Sequence, residues 1–276
     1  MNQIDNIIDN ALAEDIHTGD ITTLSVVASP RRMRARLVAK EAMVLSGIDV
    51  ARRVFARLDA DITFTPHFQD GARLEQGNII AVMEGSAASL LQGERVSLNL
   101  LQRMSGIATQ TAAYVEELEG TGARVVDTRK TTPGLRVLEK YSVRVGGGTN
   151  HRTGLYDGVL IKENHIAAAG GIPEAVRAAR AYIPHTLKIE VETETLDEVK
   201  QALDAGADII MLDNMSLEQM TEAVQIINKR ALVEASGGVN LKTIRSIALT
   251  GVDIISVGAL THSVRATDIS MLMEGV

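Results

Sequence analysis

The sequence predicts an α/β protein in which an antiparallel sheet module precedes an α/β barrel built from six βα units. Three observations predict it. Six short β-rich runs in the C-terminal part each end in charged, glycine or small polar residues and give way to a helical pattern. The first hundred or so residues instead carry β-like segments separated by turn signals. A cationic block, 124–165, sits inside an otherwise acidic chain.

From the N-terminus, MNQIDNIIDNALAEDI is acidic and amphipathic, unlike a signal or transit peptide. RARLVAKEAMVLSG and NIIAVMEGSAASLL read as β-like, with turns at QDG and EQGN, so HFQDGARLEQGNIIAVMEG resembles an antiparallel module. A helical pattern takes over from Gly93 to Glu119, with Val96, Leu100, Met104 and Ile107 on one face. It links the two parts, and a boundary near 105 gives domains 1–105 and 106–265.

The β-like runs of the second part begin at 123 (ARVVDTRK), 157 (DGVLIKEN), 187 (LKIEVETE), 208 (DIIMLDN), 231 (ALVEASGG) and 253 (DIISVGAL). Thr195 with Glu198, and Ser216 with Gln219, have capping-box spacing. Gly206 and Gly251 stand where helix-ending glycines are expected. GADIIMLDN and GVDIISVGA form a weak internal repeat at βα spacing. Near-continuous apolar strands alternating with helices mean a parallel sheet covered on both faces.

Composition narrows the function. The 276 residues include no cysteine and no tryptophan, and 3% are aromatic. Disulfides, thiol nucleophiles and zinc-thiolate sites are excluded, and a cytoplasmic location fits. A pI of about 5.4 with few aromatics argues against nucleic acid. No apolar run approaches the length of a membrane span. Segment 124–165 holds 8 Lys/Arg against 4 Asp/Glu, leaving 20 against 31 elsewhere. A local excess of that kind suits a pocket for a small polyanion.

In a barrel the chemistry lies at the C-terminal strand ends. Those ends carry Arg129 and Lys130, Lys162, Glu192, Asp213, Ser236 with Gly237 and Gly238, and Gly258. His151 and Arg152 lie in the region before the second strand. Arginine binds a carboxylate in bidentate fashion and lysine acts as a point charge, so this group suits a diacid, or a carboxylate with a phosphate. Glu192 and Asp213 suit Mg²⁺ or ribose hydroxyls. Glu190 and Glu194 share the alternation parity of Glu192, so the choice among the three stays open. The glycines of EASGGV and SVGALTHS fit a phosphate loop, with His262 as a phosphate donor or a helix-start residue. The run Gly146–Gly148 is not a dinucleotide fingerprint; it reads either as a flexible loop or as a loop offering N–H groups to an anion.

The segments DTRKTTPGLR, GGGTNHRTGLYDGVLIKENHI, IEVE, GADIIMLDNM, EASGGV and ISVGALTHS resemble the signature blocks of the quinolinate phosphoribosyltransferase family. EDIHTGDIT and ERVSLNLLQRMSGIAT match as well, so the resemblance covers nearly the whole chain in order. A sister group associated with molybdenum transport is similar and typically departs around the block that here reads LIKENH. A non-catalytic anion-binding barrel is the third reading, and the presence of both Glu192 and Asp213 speaks against it.

The resemblance implies an N-terminal α/β sandwich, joined by the tail 266–276, and a C-terminal incomplete barrel of the type II phosphoribosyltransferase kind. It implies reaction of quinolinate with phosphoribosyl pyrophosphate (PRPP) and Mg²⁺, giving nicotinate mononucleotide, pyrophosphate and CO₂. It implies that Arg129, His151, Arg152 and Lys162 hold quinolinate, with Arg95 reaching in from a second subunit of a homodimer or larger oligomer. Lys130, Glu192 and Asp213 would serve PRPP as catalytic groups. The last two would also meet the metal, directly or indirectly. Ser236, Gly237, Gly258 and His262 would hold the 5′-phosphate.

Overall fold

The computed structural model describes residues 3–27 and 29–275, so residues 1, 2, 28 and 276 of the spans named above lie outside the described residues. In chain order the elements are α1 (Gln3–Ile16), α2 (Ile21–Val26), β1 (Arg32–Ala39), β2 (Met43–Val44), α3 (Ile48–Leu58), β3 (Thr63–Pro66), β4 (Arg73–Leu74), β5 (Ile79–Ser86) and α4 (Ala87–Glu117). There follow β6 (Arg124–Val126), α5 (Arg136–Val145), β7 (Val159–Ile161), α6 (Glu163–Ala169), α7 (Ile172–Tyr182), β8 (Ile189–Thr193) and α8 (Leu196–Asp204). The chain ends with β9 (Ile209–Asp213), α9 (Leu217–Ile227), β10 (Leu232–Ser236), α10 (Ile244–Ala248), β11 (Ile254–Ser256), α11 (Ala259–His262) and β12 (Ile269–Gly275).

The chain divides into two compact units. The first comprises residues 1–112, 131–147 and 263–276, and the second 113–130 and 148–262. Residues 131–147 therefore group with the first unit, where the sequence reading ran the barrel domain unbroken over 106–265. The reason is visible in α5. Its Leu138 packs in a cluster with Val96, Leu100 and Met104 of α4, and Ser142 bonds Ser46.

The first unit is a four-stranded antiparallel sheet, ordered β12-β1-β5-β3, with the small pair β2-β4. Along β1 the burial alternates, because successive side chains of a strand point to opposite faces. Leu37, Ile80 and Met83 of the sheet are fully buried with Phe55 of α3 and Leu90 and Leu101 of α4. The turn signals at QDG and EQGN are real: Gly71 and Gly77 both take positive φ, which glycine adopts without strain. The expected helix is longer than its sequence pattern. AASLL is not strand, since β5 stops at Ser86 and α4 begins at Ala87. Val96, Leu100, Met104 and Ile107 form its buried face as expected. Gly106 is tolerated mid-helix because a Cβ there would lie 2.3 Å from the Arg265 carbonyl oxygen.

The second unit is a six-stranded parallel sheet ordered β6-β11-β10-β9-β8-β7, and each strand coincides with one of the six predicted runs. The capping boxes at Thr195/Glu198 and Ser216/Gln219 both form. Gly206 follows the C-cap of α8 with φ +81°, and Gly251 lies two residues beyond the C-cap of α10 with φ +96°. The run Gly146–Gly148 follows α5, with Gly146 as its C-cap. The amides of Gly146 and Gly147 donate to Ser142 and Arg144 carbonyls, so neither is offered to an anion.

Candidate functional site

Within the second unit a cavity of about 860 Å³ is lined by residues at or just past the strand ends. Arg129, Lys130, His151, Arg152, Lys162, Glu192, Asp213, Ser236, Gly237, Gly258 and His262 all line it. Every predicted site residue except Arg95 is thus in one place. Arg95 stands exposed on α4 in the first unit, next to buried Val96, and is not among the lining residues.

Local structure explains several of these positions. β6 stops at Val126, and buried Asp127 then accepts bonds from the Asn150 side chain (2.6 Å) and the His151 amide (2.9 Å). This ties the loop holding His151 and Arg152 to the strand that leads to Arg129. Thr261 fixes Lys130 by donating its hydroxyl to the Lys130 carbonyl at 2.8 Å. Gly258 leaves room for the Lys130 side chain, since a Cβ there would stand 3.1 Å from Lys130 Cδ and from the His262 ring. Gly237 has φ +93°, and a Cβ on it would lie 2.1 Å from Asn214 Oδ1, so the turn after β10 requires glycine. His262 is the last residue of the short α11, not a helix start, and is exposed.

The electrostatics divide the cavity. Four fixed cations, Arg129, Lys130, Arg152 and Lys162, share it with the carboxyl groups of Glu192, Asp213 and Glu234. Burial, and then the neighbouring Arg129 guanidinium, lower the pKa of Arg152 from its usual value. Its guanidinium donates to the Gly158 carbonyl at 3.2 Å. Lys162 is joined to Glu192 by an ion pair, although the resemblance separates their roles. Glu192 and Asp213 lie on neighbouring parallel strands, and Asp213 accepts a bond from the Asn214 side chain.

The choice among the three glutamates is now resolved by position. Glu192 lines the cavity, Glu194 is exposed beyond the strand, and Glu190 is buried deeper in the barrel. There Glu190 Oε2 lies 3.0 Å from His151 Nε2, and Glu234 Oε2 lies 3.7 Å from the same atom. His151 Nδ1 accepts the Arg152 amide at 2.7 Å, so the ring proton sits on Nε2 and points at the carboxyl groups. Burial first, and then the Glu190 carboxylate, push Glu234 up to about 8. Asp127 and Glu234 were missed as site residues. The available signal was an acidic residue inside, or directly after, an otherwise apolar buried strand.

Comparison with known proteins finds matches over nearly the whole chain. Residues 20–105 match the model of the quinolinate phosphoribosyl transferase N-terminal domain, and residues 107–272 that of its C-terminal domain. A probable nicotinate-nucleotide pyrophosphorylase [carboxylating] of Bacillus subtilis is 46% identical over 269 residues, 98% of this chain and 93% of that protein. The nicotinate-nucleotide pyrophosphorylase [carboxylating] of Mycobacterium leprae is 45% identical over 270 residues, 96% of this chain and 95% of that protein. The crystal structure of NadC from Streptococcus pyogenes superposes with a TM-score of 0.95 at 47% identity, covering 99% of this chain and 97% of that one.

Proposed function

As the chain belongs to the quinolinate phosphoribosyltransferase family, we propose that its barrel cavity transfers phosphoribosyl from PRPP to quinolinate with loss of CO₂, giving nicotinate mononucleotide and pyrophosphate. The observation that carries this is the paired guanidinium groups of Arg129 and Arg152. Both line one cavity, where burial and then the Arg129 charge lower the Arg152 pKa, a setting that favours an anion. A planar diacid meets it through bidentate bonds.

Quinolinate then lies against Arg129, Arg152 and Lys162. His151 has both ring nitrogens engaged by the protein, so it supplies a wall and holds the Arg152 backbone. Arg95 of a second copy completes this half in a homodimer or larger assembly. PRPP occupies the other half, with Lys130 at its pyrophosphate, Glu192 and Asp213 at the ribose, and Ser236, Gly237, Gly258 and His262 around its 5′-phosphate.

The residues fit Mg²⁺. Lys162 engages one oxygen of Glu192 and Asn214 one oxygen of Asp213, so each carboxylate keeps a second hard oxygen for the ion or for ribose hydroxyls. When bound, Mg²⁺ supplies charge neutralisation to the departing pyrophosphate.

Departure of pyrophosphate leaves positive charge on ribose C1, as in glycoside hydrolysis, and the carboxylates beside it stabilise that charge. The pyridine nitrogen attacks, so no protein nucleophile is needed, in keeping with a chain without cysteine. The ring nitrogen becomes cationic, and its charge stabilises the electron pair left on the adjacent carbon when that carboxylate departs as CO₂. The cationic half of the cavity holds the diacid in line for attack. The cysteine-free composition favours the cytoplasm, and none of the described helices is long and apolar enough to cross a membrane.

The test is to supply the purified protein with quinolinate, PRPP and Mg²⁺ and to measure all three products. Equal amounts of nicotinate mononucleotide, pyrophosphate and CO₂ are expected. No PRPP-dependent loss of quinolinate would end this reading.

A further inference from the structure

Loss of CO₂ leaves an electron pair on ring carbon C2, and the product carries hydrogen there. A proton must therefore arrive from the protein or from water. We propose that the Glu234 carboxyl group delivers that proton and is recharged through a second opening at the other end of the barrel. This rests on the decarboxylating transferase reading above.

The argument begins with position. Glu234 is 1% exposed, yet it lines two cavities. One is the substrate cavity. The other, of about 650 Å³, is lined by the N-terminal ends of the strands, including Arg124, Ile209, Leu232 and Ile254. His151 and Arg152 also line both, and Glu190 lines the lower one. A single layer of side chains thus separates the substrate from a second route to solvent, and a carboxyl group belongs to that layer.

The local chemistry fits a proton carrier. Glu234 Oε1 and Glu190 Oε1 are both buried without a hydrogen-bond partner. Buried oxygens left in that state are exceptional and call for an explanation. Two carboxyl groups side by side cannot both ionise at low cost, so one keeps a proton. The three side chains place one ligand atom each within 4.8 Å of one another, a spacing that would also suit a metal ion. The Nδ1 bond from the Arg152 amide assigns the ring proton to Nε2, which closes that nitrogen to a metal. The groups facing Glu234 are Glu190 from β8 and His151 from the loop, with Ser256 from β11 as a hydroxyl partner. Its register neighbours, Met211 on β9 and Ile254 on β11, do not titrate.

The step balances. The C2–carboxylate bond breaks, CO₂ leaves, and the electron pair stays on C2 beside the cationic nitrogen. The Glu234 O–H bond then breaks as C2–H forms. The resulting Glu234 carboxylate takes a proton from water in the lower cavity. Without a proton at hand the electron pair recaptures CO₂, and the reaction stalls at the dicarboxylated nucleotide.

The experiment compares the wild type with Glu234→Gln in a single turnover, using quinolinate labelled in its C2 carboxylate. Wild-type turnover of quinolinate with PRPP is established first, so a failure of the parent reading is seen separately. In Glu234→Gln, pyrophosphate release is expected to stay near the wild-type rate. CO₂ release should fall about 100-fold, the range of general acid catalysis, with the dicarboxylated nucleotide accumulating. Equal slowing of both steps, or of neither, overturns the proposal. If the variant does not fold, the pH profile of the wild type decides. Loss of the Glu234 proton should slow CO₂ release but not pyrophosphate release as pH rises through about 8, and a CO₂ rate that stays flat across that range refutes the proposal.

Discussion

The two sheets of this chain bury different things. The antiparallel sheet of the first unit buries Leu37, Ile80 and Met83 under apolar helices. The parallel sheet of the second unit buries Glu190, Glu234, Thr193 and Ser256 along its strands. Transfer of a carboxyl group out of water is costly unless it is paired, hydrogen-bonded or protonated. The first sheet therefore contributes stability, and the second gives up part of its own to bury carboxyl groups beside a cavity. The difference teaches where mutations should separate folding from chemistry.

The largest stability effect belongs to the first sheet. Leu37 is fully buried, and Leu37→Ala should cost about 2–5 kcal/mol of stability, as expected for an unfilled leucine cavity. The Michaelis constants of the folded protein for both substrates should change little, as measured by denaturant unfolding alongside steady-state kinetics. Altered substrate affinity without loss of stability would erase the contrast between the sheets.

Arg95 sharpens the comparison, because it is the one predicted site residue carried by the first unit. If it serves the barrel of a second copy, Arg95→Ala and Lys162→Ala chains are each inactive alone yet complement one another. Random reassembly makes about half of the dimers mixed, each with one intact site of two, so roughly a quarter of all sites should recover in a two-fold dimer. Activity that stays at the level of the separate variants, in a sample where mixed dimers are demonstrated, assigns Arg95 to its own chain or to no site.

The third effect is a pH slope. Glu234 is raised from 4.5 to about 8, so the native state keeps a proton that the unfolded chain releases. Native proton uptake exceeds that of the unfolded state within this window, so the group's contribution to stability falls as pH rises through it. Glu234→Gln lacks that slope. Unfolding measured at about pH 5 and about pH 8 should show the variant gaining on the wild type as pH rises. Parallel stability curves would mean that Glu234 titrates like an exposed carboxylate.

Much of the second sheet was legible because its signals are local. Each strand is a short apolar run, and the residues after it announce the cavity. The cap at Thr195 and the glycine at 237 follow from rules of one or two turns. What escaped was set by distance in sequence. Asp127 matters because it meets Asn150 and His151, and Glu234 because it meets His151 and Glu190 across three elements. The pairing of Lys162 with Glu192 joins residues 30 apart. Alternation put Glu190, Glu192 and Glu194 on one face but carried no measure of depth along the barrel. The start of α4 at Ala87 was hidden because SAASLL suits a strand as well as a helix until its packing decides.

The most direct test of the account measures both substrate affinities in two variants side by side. Arg152→Ala should weaken quinolinate by about 2–5 kcal/mol, the usual cost of removing one member of a desolvated charge pair, while sparing PRPP. Asp213→Asn should do the opposite, weakening PRPP or raising its Mg²⁺ requirement while quinolinate binds as before. Titration of each ligand into each folded variant gives four affinities. The account predicts that the two losses fall on different ligands. If both variants weaken the same ligand, or neither weakens any, the cavity is not divided between a diacid and a phosphoribosyl donor.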